Sequence, residues 1–447
     1  MQISDLLAAR VPRYTSYPTA PHFNAAVTGV VFRRWLQALP TDEPLSLYFH
    51  VPFCETLCWY CGCHTRVVNT YSPVAAYLDV MLREVEQVAQ ALGARRRVTH
   101  IHFGGGSPTM LRPDDWSRVD GLVRSRFDVA HDAEIAVEID PRGLSPATID
   151  ALVRAGVNRA SVGVQDVNPH VQHAINRWQP VSLTADVVRR LRGSGIEALN
   201  IDLIYGLPRQ SVDDVARTVD AAVALAPQRI ALFGYAHVPE MKRHQQLIDA
   251  TALPGPEERL RQYEHAHRQL VGCGYQPIGL DHFAVAGDAL AQAQRAGRLR
   301  RNFQGYTTDE ADALIGFGAS AISSLPQGYA QNASAAPDYA GMIRAGGLAV
   351  ARGRALTDDD RIRRAIIERL MCDLAVDIAA LAATYGRHPS DFLPEIRSLA
   401  PLQAQGIVQV EGWRVRVPQE MRVAVRLVCA AFDAYLQPQT ARHAIAV

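Results

Sequence analysis

Strand-like and helix-like segments alternate over residues 45–280 of this chain. The strand-like segments are short apolar runs at Leu45–His50, Val98–Phe103, Glu134–Ile139, Arg159–Val164, Ala198–Ile204 and Arg229–Tyr235, with Tyr275–Leu280 as a further candidate. Amphipathic segments separate them at Val74–Leu92, Pro113–Arg126, Pro146–Ala155, Leu183–Arg192, Val212–Leu225 and Glu257–Val271. Successive strands begin roughly 25–50 residues apart, as in right-handed strand–helix–strand units. The alternation therefore predicts an α/β fold with a parallel sheet and crossover helices.

The segments on either side of this array differ from it in composition. Residues 1–44 carry several prolines and aromatic residues, which predicts an extended arm with a short helix. Residues 300–326 are rich in glycine, aromatic and polar residues and are expected to form a structured loop followed by a strand or helix. We place a boundary near residues 346–356, so the sequence predicts an arm at 1–44, a main domain at 45–350 and a C-terminal domain at 351–447.

The C-terminal domain is expected to be small and mostly helical. Thr357 is a candidate N-cap before an acidic first turn and a helical stretch. The string GIVQVEGWRVRVP at Gly406–Pro418 predicts a β-hairpin. A last helix is predicted at Met421–Tyr435. This order resembles a winged-helix domain, and the alternative is a helical cap that only covers the sheet.

Composition and charge exclude several classes of protein. The 447 residues are 48% hydrophobic and 20% charged, with 46 basic and 45 acidic side chains and a net charge of +1. Such a balance gives no overall field that attracts nucleic acid or an anionic membrane. No apolar run approaches the ~18 residues of a membrane span. The start, MQISDLLAARVPR, lacks the basic region and apolar core of a signal peptide. We expect a cytoplasmic protein with no nucleic-acid or membrane partner.

Four of the seven cysteines lie within ten residues, directly after the first strand. They are Cys54, Cys58, Cys61 and Cys63 in the string PFCETLCWYCGCHT. The odd number and the clustering argue against a secreted disulfide framework, so the cluster indicates metal or redox chemistry. The remaining cysteines stand in apolar surroundings and are expected to be small core residues; they are Cys273, Cys372 and Cys429.

The spacing C-x3-C-x2-C at Cys54, Cys58 and Cys61 allows three thiolates on one loop to hold an iron–sulfur cluster. Three ligands on a four-iron cluster leave one iron free to bind an exchangeable group. The alternative is a structural zinc site completed by Cys63 or His64. Zinc sites usually draw paired ligands from two places, and no second cysteine pair is present. The sequence therefore favours an iron–sulfur cluster.

Further polar residues stand where predicted strands end, and parallel strands present their chemistry at those ends. Gly104–Pro108 (GGGSP) lacks the Gly-Lys-Ser/Thr of a phosphate loop, so close backbone approach to another ligand is expected. Glu138 is a candidate to bind ribose hydroxyls or, alternatively, to pair with Arg142 or Arg159. Asp202, inside an apolar strand, requires a partner, either a ligand or an internal arginine. Arg177 is a candidate to meet a carboxylate, and Gln165 also ends a strand.

The cysteine spacing, with an aromatic residue before the third cysteine, resembles the signature of the radical S-adenosylmethionine (SAM) superfamily. Beyond it, the chain resembles the oxygen-independent coproporphyrinogen III oxidase (dehydrogenase) family over nearly its full length. The strings that carry this resemblance are RYTSYPT, YFHVPFC, CWYCGC, HFGGGSPT, VEIDPR, GVQD, NIDLIYGLP, YAHVP, GLDHFA and RNFQGYTT. Relatives that deliver heme generally lack the fourth cysteine and the arm. Heme delivery or tetrapyrrole methylation is the alternative function, and a zinc-stabilised scaffold without enzymatic activity is a third.

The resemblance implies a partial (βα)6-type radical SAM barrel with an N-terminal arm and the C-terminal domain described above. It implies a four-iron four-sulfur (4Fe-4S) cluster, two molecules of SAM, coproporphyrinogen III as substrate, and an electron donor such as flavodoxin or ferredoxin. A monomer is expected. The implied reaction converts two propionate side chains to vinyl groups in anaerobic porphyrin biosynthesis.

The resemblance also assigns roles to matching positions. The cluster ligands would be Cys54, Cys58 and Cys61. The first SAM would contact Tyr48, Gly105, Glu138 and Ile322. The second SAM would contact Tyr60, Gly106, Ser107, Gln165, Arg177, Asp202 and Ala236. The family usually has threonine at position 107 and often phenylalanine at position 60; serine keeps the hydroxyl and tyrosine keeps the aromatic face. Cys63 has no role in this scheme.

Substrate contacts are expected from three arginines and from aromatic residues. The arginines that would bind propionates are Arg13, Arg300 and Arg301, with surface or structural ion pairs as the alternative. The aromatic residues that would line a macrocycle site, or else pin the arm to the barrel, are Tyr14, Tyr17, Phe303 and Tyr306. Three histidines in strands are interpreted as satisfied core or rim residues rather than ligands, namely His50, His100 and His102.

Overall fold

Twelve strands form one continuous sheet in the computed structural model, which describes residues 11–436. In chain order the strands are β1 (Leu45–Val51), β2 (Arg97–Gly105), β3 (Asp128–Ile139), β4 (Arg159–Gln165), β5 (Ala198–Tyr205), β6 (Arg229–Gly234), β7 (Tyr275–Ile278), β8 (His282–Val285), β9 (Ala313–Phe317), β10 (Ile322–Leu325), β11 (Gly328–Asn332) and β12 (Val350–Ala355). Their spatial order is β12-β11-β10-β9-β1-β2-β3-β4-β5-β6-β8-β7. The sheet is therefore open, and it begins and ends on antiparallel strands.

The six strands β1 to β6 run parallel and are neighbours in chain order. A helix follows each of them, and these helices are α1 (Ser72–Leu92), α2 (Pro113–Arg126), α3 (Pro146–Arg154), α4 (Val181–Gly193), α5 (Val212–Ala224) and α6 (Pro256–Gly272). β1 is buried over most of its length and is largely apolar, whereas buried and partly exposed residues alternate in β4 and β5. Both patterns are typical of strands, which is why the sequence located them. The predicted α/β array of six strand–helix units is confirmed.

The remaining strands extend this array on both sides. β9 pairs parallel with β1, and β10 to β12 continue antiparallel. At the other edge β8 pairs antiparallel with β6 and with β7. The region expected to be a loop and a strand or helix supplies a small hairpin, Arg300–Asn302 with Gly305–Thr307, followed by β9 and β10.

The C-terminal part begins with α7 (Asp358–Asp373), where Thr357 and Asp360 form a reciprocal capping box as the acidic first turn predicted. The predicted hairpin is present as Gln409–Glu411 and Arg414–Arg416, and Ala375–Asp377 adds a third strand that the sequence did not reveal. The predicted last helix is shorter than expected. A 3-10 turn occupies Gln419–Ala424 and an α-helix only Val425–Ala430.

Shorter helices complete the structure. They are Gly29–Gln37, Pro169–Ala174, Ala289–Arg295, Ala336–Arg344, Ile378–Thr384, Leu393–Ser398 and Ala400–Ala404. Gly29–Gln37 is the short helix expected in the arm, and Thr28 caps it. The predicted arm and C-terminal domain extend into residues 1–10 and 437–447, which lie outside the described residues, as does most of the segment judged not to be a signal peptide. Within residues 11–436, every helix is too short or too polar to cross a lipid bilayer.

The three scattered cysteines do not share one environment. Cys372 and Cys429 are buried, as expected, but Cys273 is exposed. It follows the C-terminal end of α6, where the chain turns outward before β7. The prediction of a core position was wrong for Cys273, because an apolar sequence neighbourhood does not show which face a helix end presents.

A buried carboxylate ties α1 to the strands beyond β9. Glu84 accepts hydrogen bonds from the Gly318 amide at 2.7 Å, the Asn332 side-chain amide at 2.6 Å and the Tyr339 hydroxyl at 2.7 Å. Asn332 also donates to the Gly318 carbonyl at 2.9 Å, which fixes its orientation. Burial raises the pKa of Glu84 to about 7, because these three donors only partly replace water.

We expect Glu84→Gln to destabilise the protein. A protonated carboxyl has one O–H and keeps acceptor capacity on both oxygens, whereas the glutamine NH2 has two donors and no acceptor. One of the three donors therefore loses its acceptor, at a cost of about 1–3 kcal/mol. Between pH 4.5 and about 7 folded Glu84 holds a proton that the unfolded chain releases, so wild-type stability falls as pH rises. The gap between wild type and variant should be widest near pH 5 and should narrow towards pH 7. Thermal midpoints across that range test this, with exposed Glu86→Gln as control; a gap that widens with pH would contradict it.

Candidate active site

A cavity of about 680 Å³ runs along one face of the parallel strands, from the first residues of β4 and β6 to the carboxyl ends. Alternate side chains of β3, β4 and β5 line it, because residues two apart on a strand point to the same face. They are Glu134, Ala136, Glu138, Arg159, Ser161, Gly163, Gln165, Asn200, Asp202 and Ile204. The burial of β4 and β5 alternates with the same period, since the intervening side chains pack into the core.

The three predicted ligands, Cys54, Cys58 and Cys61, line this same cavity. Their loop is held at several points. The Cys61 amide donates to the Cys58 carbonyl at 3.1 Å, and the Cys54 thiol contacts the Thr65 hydroxyl at 3.1 Å. The amide of Trp59 donates to the carbonyl of Ile175 at 3.0 Å, which attaches the loop to the chain after β4. The fold thus brings three thiols to one wall.

Two guanidinium groups lie beside the middle cysteine. Arg142 Nη2 is 3.2 Å and Arg177 Nη1 is 3.5 Å from the Cys58 sulfur. Asp140 joins both arginines, at 2.6 Å and 3.3 Å. Burial would raise the pKa of Asp140, but the two arginines lower it to about 2. Arg177 thus contacts a carboxylate of the protein itself, and two guanidinium groups lie beside a predicted cluster ligand.

The residues present fit a thiolate-bound iron–sulfur cluster. Three thiols line one cavity, and the adjoining cations would offset the negative charge that thiolates and sulfide bring. Within residues 11–436, no three His, Cys, Asp or Glu side chains converge on a point that would hold a single metal ion. Cys63 is exposed and lines the cavity, with its carbonyl accepting from Lys242 at 2.9 Å.

The glycine-rich string follows β2 as a tightly packed turn. Gly105 has φ of +119°, and a Cβ there would lie 2.8 Å from the His50 ring. A Cβ on Gly106 would lie 2.6 Å from both the Phe53 carbonyl oxygen and the Thr65 hydroxyl. Only hydrogen fits at these two positions, so the backbone itself forms that part of the cavity wall.

Gly106→Ala is expected to disturb the cysteine loop, because Phe53 precedes Cys54 and Thr65 contacts its thiol. Backbone cannot yield as a flexible side chain does, so the loop must shift. We expect the iron content after reconstitution to fall by about half or more, since a supporting contact to a metal ligand typically matters tenfold or more in affinity. Gly121→Ala, where a Cβ meets no atom within 4 Å, is the control; equal iron content in both variants would contradict the expectation.

Glu138 supports the glycine turn. Its carboxylate accepts from the Gly105 amide at 3.1 Å and from His102 Nε2 at 3.2 Å. Burial alone would raise the pKa of Glu138, but these two donors lower it below its usual value. The alternative that Glu138 pairs with Arg142 or Arg159 was wrong, because Arg142 binds Asp140 and Arg159 binds Glu134 at 2.9 Å.

Asp202 projects from β5 into the cavity. It accepts from the Ser161 hydroxyl at 2.8 Å and the Asn200 side-chain amide at 2.7 Å. Burial raises the pKa of Asp202, because these neutral donors compensate only part of the lost hydration. Its protein partners are a serine and an asparagine, so the alternative of an internal arginine is not what the structure shows.

The other residues assigned by resemblance divide into two groups. Those that line the large cavity are Tyr60, Gly105, Gly106, Gln165, Arg177 and Ala236. Those that do not line it are Tyr48, Ser107 and Ile322. The Tyr48 hydroxyl bonds His50 Nδ1 at 2.9 Å, and the Ser107 hydroxyl bonds that of Thr109 at 2.9 Å. Ile322 packs against the buried cluster of Phe23, Tyr329 and Leu356. The roles in SAM binding that the resemblance assigns to both groups of residues remain predictions.

The predicted substrate arginines are also separated. Arg13 lines the large cavity, whereas Arg300 binds Asp312 at 2.9 Å beside a second cavity of about 140 Å³. Arg301 borders that second cavity and a third, described below. The structure does not bring Arg300 together with Arg13.

The aromatic candidates are divided in the same way. Tyr306 lines the large cavity, and the others border the second one. Tyr14 donates to Asp433 at 3.1 Å, and the Tyr17 hydroxyl accepts from the Ala434 amide at 3.0 Å. These two tyrosines thus pin the arm to the C-terminal segment, and Phe303 contacts Tyr329 edge-on.

Each of the three strand histidines has a protein partner, as expected. His50 Nε2 lies 3.0 Å from the His64 carbonyl oxygen, His100 lies 3.2 Å from Asp309, and His102 binds Glu138.

Comparison with known proteins agrees with this geometry. The model of the radical SAM superfamily matches residues 48–222, and the model of the HemN C-terminal domain matches residues 356–422. The oxygen-independent coproporphyrinogen III oxidase of Bradyrhizobium diazoefficiens is 49% identical, with 98% of this chain and 97% of that protein covered. The protein of the same name from Paracoccus denitrificans is 45% identical over 96% of this chain and 95% of its own length.

A solved structure is also closely similar. Coproporphyrinogen III oxidase (HemN) from Escherichia coli, described as a radical SAM enzyme, superposes with a TM-score of 0.91 at 40% identity. The match covers 95% of this chain and 98% of that one. The chain therefore belongs to the oxygen-independent coproporphyrinogen III oxidase family of radical SAM enzymes.

Proposed function

We propose that this protein oxidatively decarboxylates two propionate side chains of coproporphyrinogen III to vinyl groups and releases protoporphyrinogen IX. The observation that carries the proposal is that Cys54, Cys58 and Cys61 line one cavity together with the glycine turn at Gly105 and Gly106. The chain is also 49% identical, over 98% of its length, to a protein named for this activity. Each propionate loses one hydrogen atom, one CO2 and one electron. For each propionate, one SAM would receive one electron from a reductant and be cleaved to methionine and 5′-deoxyadenosine, and the 5′-deoxyadenosine would carry away the hydrogen atom. A separate one-electron acceptor would take the electron that the substrate loses.

Cys54, Cys58 and Cys61 would hold the 4Fe-4S cluster, which with SAM supplies hydrogen-atom abstraction from an unactivated carbon. The protein's own groups do the positioning. Arg142 and Arg177 set the charge around Cys58, and the Gly105 turn with Glu138 offers backbone and carboxylate contacts to a bound SAM. Hydrogen transfer requires near-contact geometry, so such placement accounts for much of the rate.

The remaining assignments rest on the resemblance and on position. We propose two SAM molecules, with the contacts named in the sequence analysis. Tyr306 lines the cavity and would cover an apolar macrocycle and exclude water. We further propose a flavodoxin or ferredoxin as electron donor, a monomer, a cytoplasmic location, and the division into units 1–44, 45–350 and 351–447.

Anaerobic turnover tests the function. Reconstituted protein is incubated with coproporphyrinogen III labelled at the propionate carboxyls, SAM, a one-electron reductant and a one-electron acceptor. Labelled CO2 and protoporphyrinogen in a ratio of two to one are expected. Tight heme binding without CO2 release, or a methylated tetrapyrrole, would instead favour heme delivery or methyl transfer. Zinc without iron and sulfide would favour the scaffold.

A further inference from the structure

A small cavity of about 30 Å³ adjoins the large one beyond the end of β6. Arg13 and the residues 233–235 border both cavities. Four guanidinium groups line the small one, from Arg13, Arg259, Arg301 and Arg426, and they come from the arm, α6, the 300–307 hairpin and the last helix. We call this set the arginine cluster.

The arginine cluster is held by specific contacts. Arg13 donates to the Gly234 carbonyl at 2.8 Å, and Arg259 donates to the Tyr235 carbonyl at 2.9 Å. A Cβ on Gly234 would lie 3.2 Å from Arg259 Nη2, so the absence of a side chain there makes room for the guanidinium group. Arg301 stacks over the Tyr306 ring at 4.5 Å. The groups are therefore fixed in place before any ligand arrives.

Among the described residues, one carboxylate lines this cavity, that of Asp281. It lies 3.8 Å from Arg301 and 2.8 Å from His282, so it is shared with a group outside the arginine cluster. Burial would raise the pKa of Asp281, but Arg301, His282 and Arg13 lower it to about 2. Burial and the neighbouring cations lower the pKa of Arg426 to about 10. Arg13 and Arg301 thus share one carboxylate of the described residues, and a second anion beside them would balance the remaining positive charge of this pair.

Arg301 carries unused hydrogen-bonding capacity. Its side chain is 6% exposed, and beyond the 3.8 Å ion pair with Asp281 its Nε and Nη1 have no hydrogen-bond partner among the described residues. Buried guanidinium N–H groups without acceptors are costly. A carboxylate entering the small cavity would supply acceptors, and a volume of about 30 Å³ exceeds the 10–15 Å³ that one water needs.

We propose that the arginine cluster binds a carboxylate of a propionate that the reaction retains, and so sets the orientation of the tetrapyrrole in the large cavity. This inference rests on the proposed function. A carboxylate held by several arginines is stabilised as an anion, and its departure as neutral CO2 would forfeit that stabilisation. The arginine cluster therefore suits a propionate that stays, while the reacting propionates lie elsewhere in the large cavity.

Porphyrin binding to the reconstituted, SAM-loaded protein tests this. Mesoporphyrin IX keeps the two retained propionates and has ethyl groups in place of the reacting ones. We expect Arg13→Gln to weaken mesoporphyrin binding about tenfold, the effect of losing one charge-assisted contact, and to change binding of its dimethyl ester less than about twofold. Arg13→Lys should restore part of the affinity, and Arg301→Gln should repeat the pattern. Arg298→Gln, at an exposed arginine paired with Glu310, is the control.

Three outcomes would overturn the inference. They are unchanged mesoporphyrin binding in both variants, an equal loss for the acid and the ester, and a loss seen only with coproporphyrin III. The first outcome would show that Arg13 and Arg301 do not contact the porphyrin. The second would show a general disturbance of the cavity, and the third would show that the arginines contact a reacting propionate. Porphyrin binding is measured on protein preparations whose wild type forms protoporphyrinogen. A failure of this inference is therefore distinct from a failure of the proposed function. Iron content and SAM cleavage in each variant show that the iron–sulfur cluster is intact.

Discussion

Replacing Cys58 by alanine is expected to abolish the iron–sulfur cluster and, with it, turnover. Cys58 is the middle ligand of three, its sulfur faces Arg142 and Arg177, and it is buried at the cavity wall. Loss of one thiol leaves two cysteine ligands for a four-iron cluster, and Arg142 and Arg177 keep only Asp140 as their acidic partner. Since outer contacts to metal ligands already matter ten- to a hundredfold, we expect activity to fall about a hundredfold or more.

The measurement is the visible absorption and iron and sulfide content of protein reconstituted without oxygen, followed by the CO2 assay. Cys273→Ala is the matched control, because Cys273 is an exposed free thiol that does not line the large cavity. It should keep the cluster and the activity. A Cys58→Ala variant that retains a four-iron spectrum would remove Cys58 from the ligand set.

The sequence located the strands because each carries buried apolar residues, nearly continuous in β1 and alternating in β4 and β5, and because helices separate them. It also located polar residues on the strands, since Glu138 stands near the end of an apolar run and Asp202 stands inside one. Their partners were not predictable, because pairing across a sheet depends on register. Glu138 accepts a hydrogen bond from His102 on the neighbouring strand, and Asp202 accepts one from Ser161, also on a neighbouring strand.

The arginine cluster shows a second limit of sequence reasoning. Arg13 and Arg301 stand in strings that carry the family resemblance, but Arg259 and Arg426 lie in helices whose sequence gives no such signal. Four distant segments converge only in the folded chain. Arg300, adjacent to Arg301, faces Asp312 instead, because successive residues of an extended strand point to opposite faces. The alternation that locates strands could have separated these two arginines.

We expect Glu138→Gln to impair SAM binding and cleavage while the cluster remains. Glu138 accepts two hydrogen bonds, and its side chain is 39% exposed, so part of the carboxylate is open to a ligand. A glutamine has one acceptor oxygen, so it can serve either the Gly105 amide or His102, and its nitrogen opposes the other donor. The glycine turn then shifts and the negative charge is lost.

We expect the SAM dissociation constant of Glu138→Gln to rise tenfold or more and the rate of 5′-deoxyadenosine formation to fall about a hundredfold. These effects are similar to the loss of one positioned group in other active sites. Equilibrium dialysis with labelled SAM and product quantification measure them, with iron content as the check on the cluster. Glu310→Gln, at an exposed carboxylate paired with Arg298, is the control. Weaker SAM binding with a normal rate of SAM cleavage at saturation would make Glu138 a binding group only. An unchanged dissociation constant together with an unchanged cleavage rate would contradict the assignment of Glu138 to SAM. A loss of iron would instead show that the glycine turn, through Gly106 and Phe53, supports the cysteine loop more than it supports SAM.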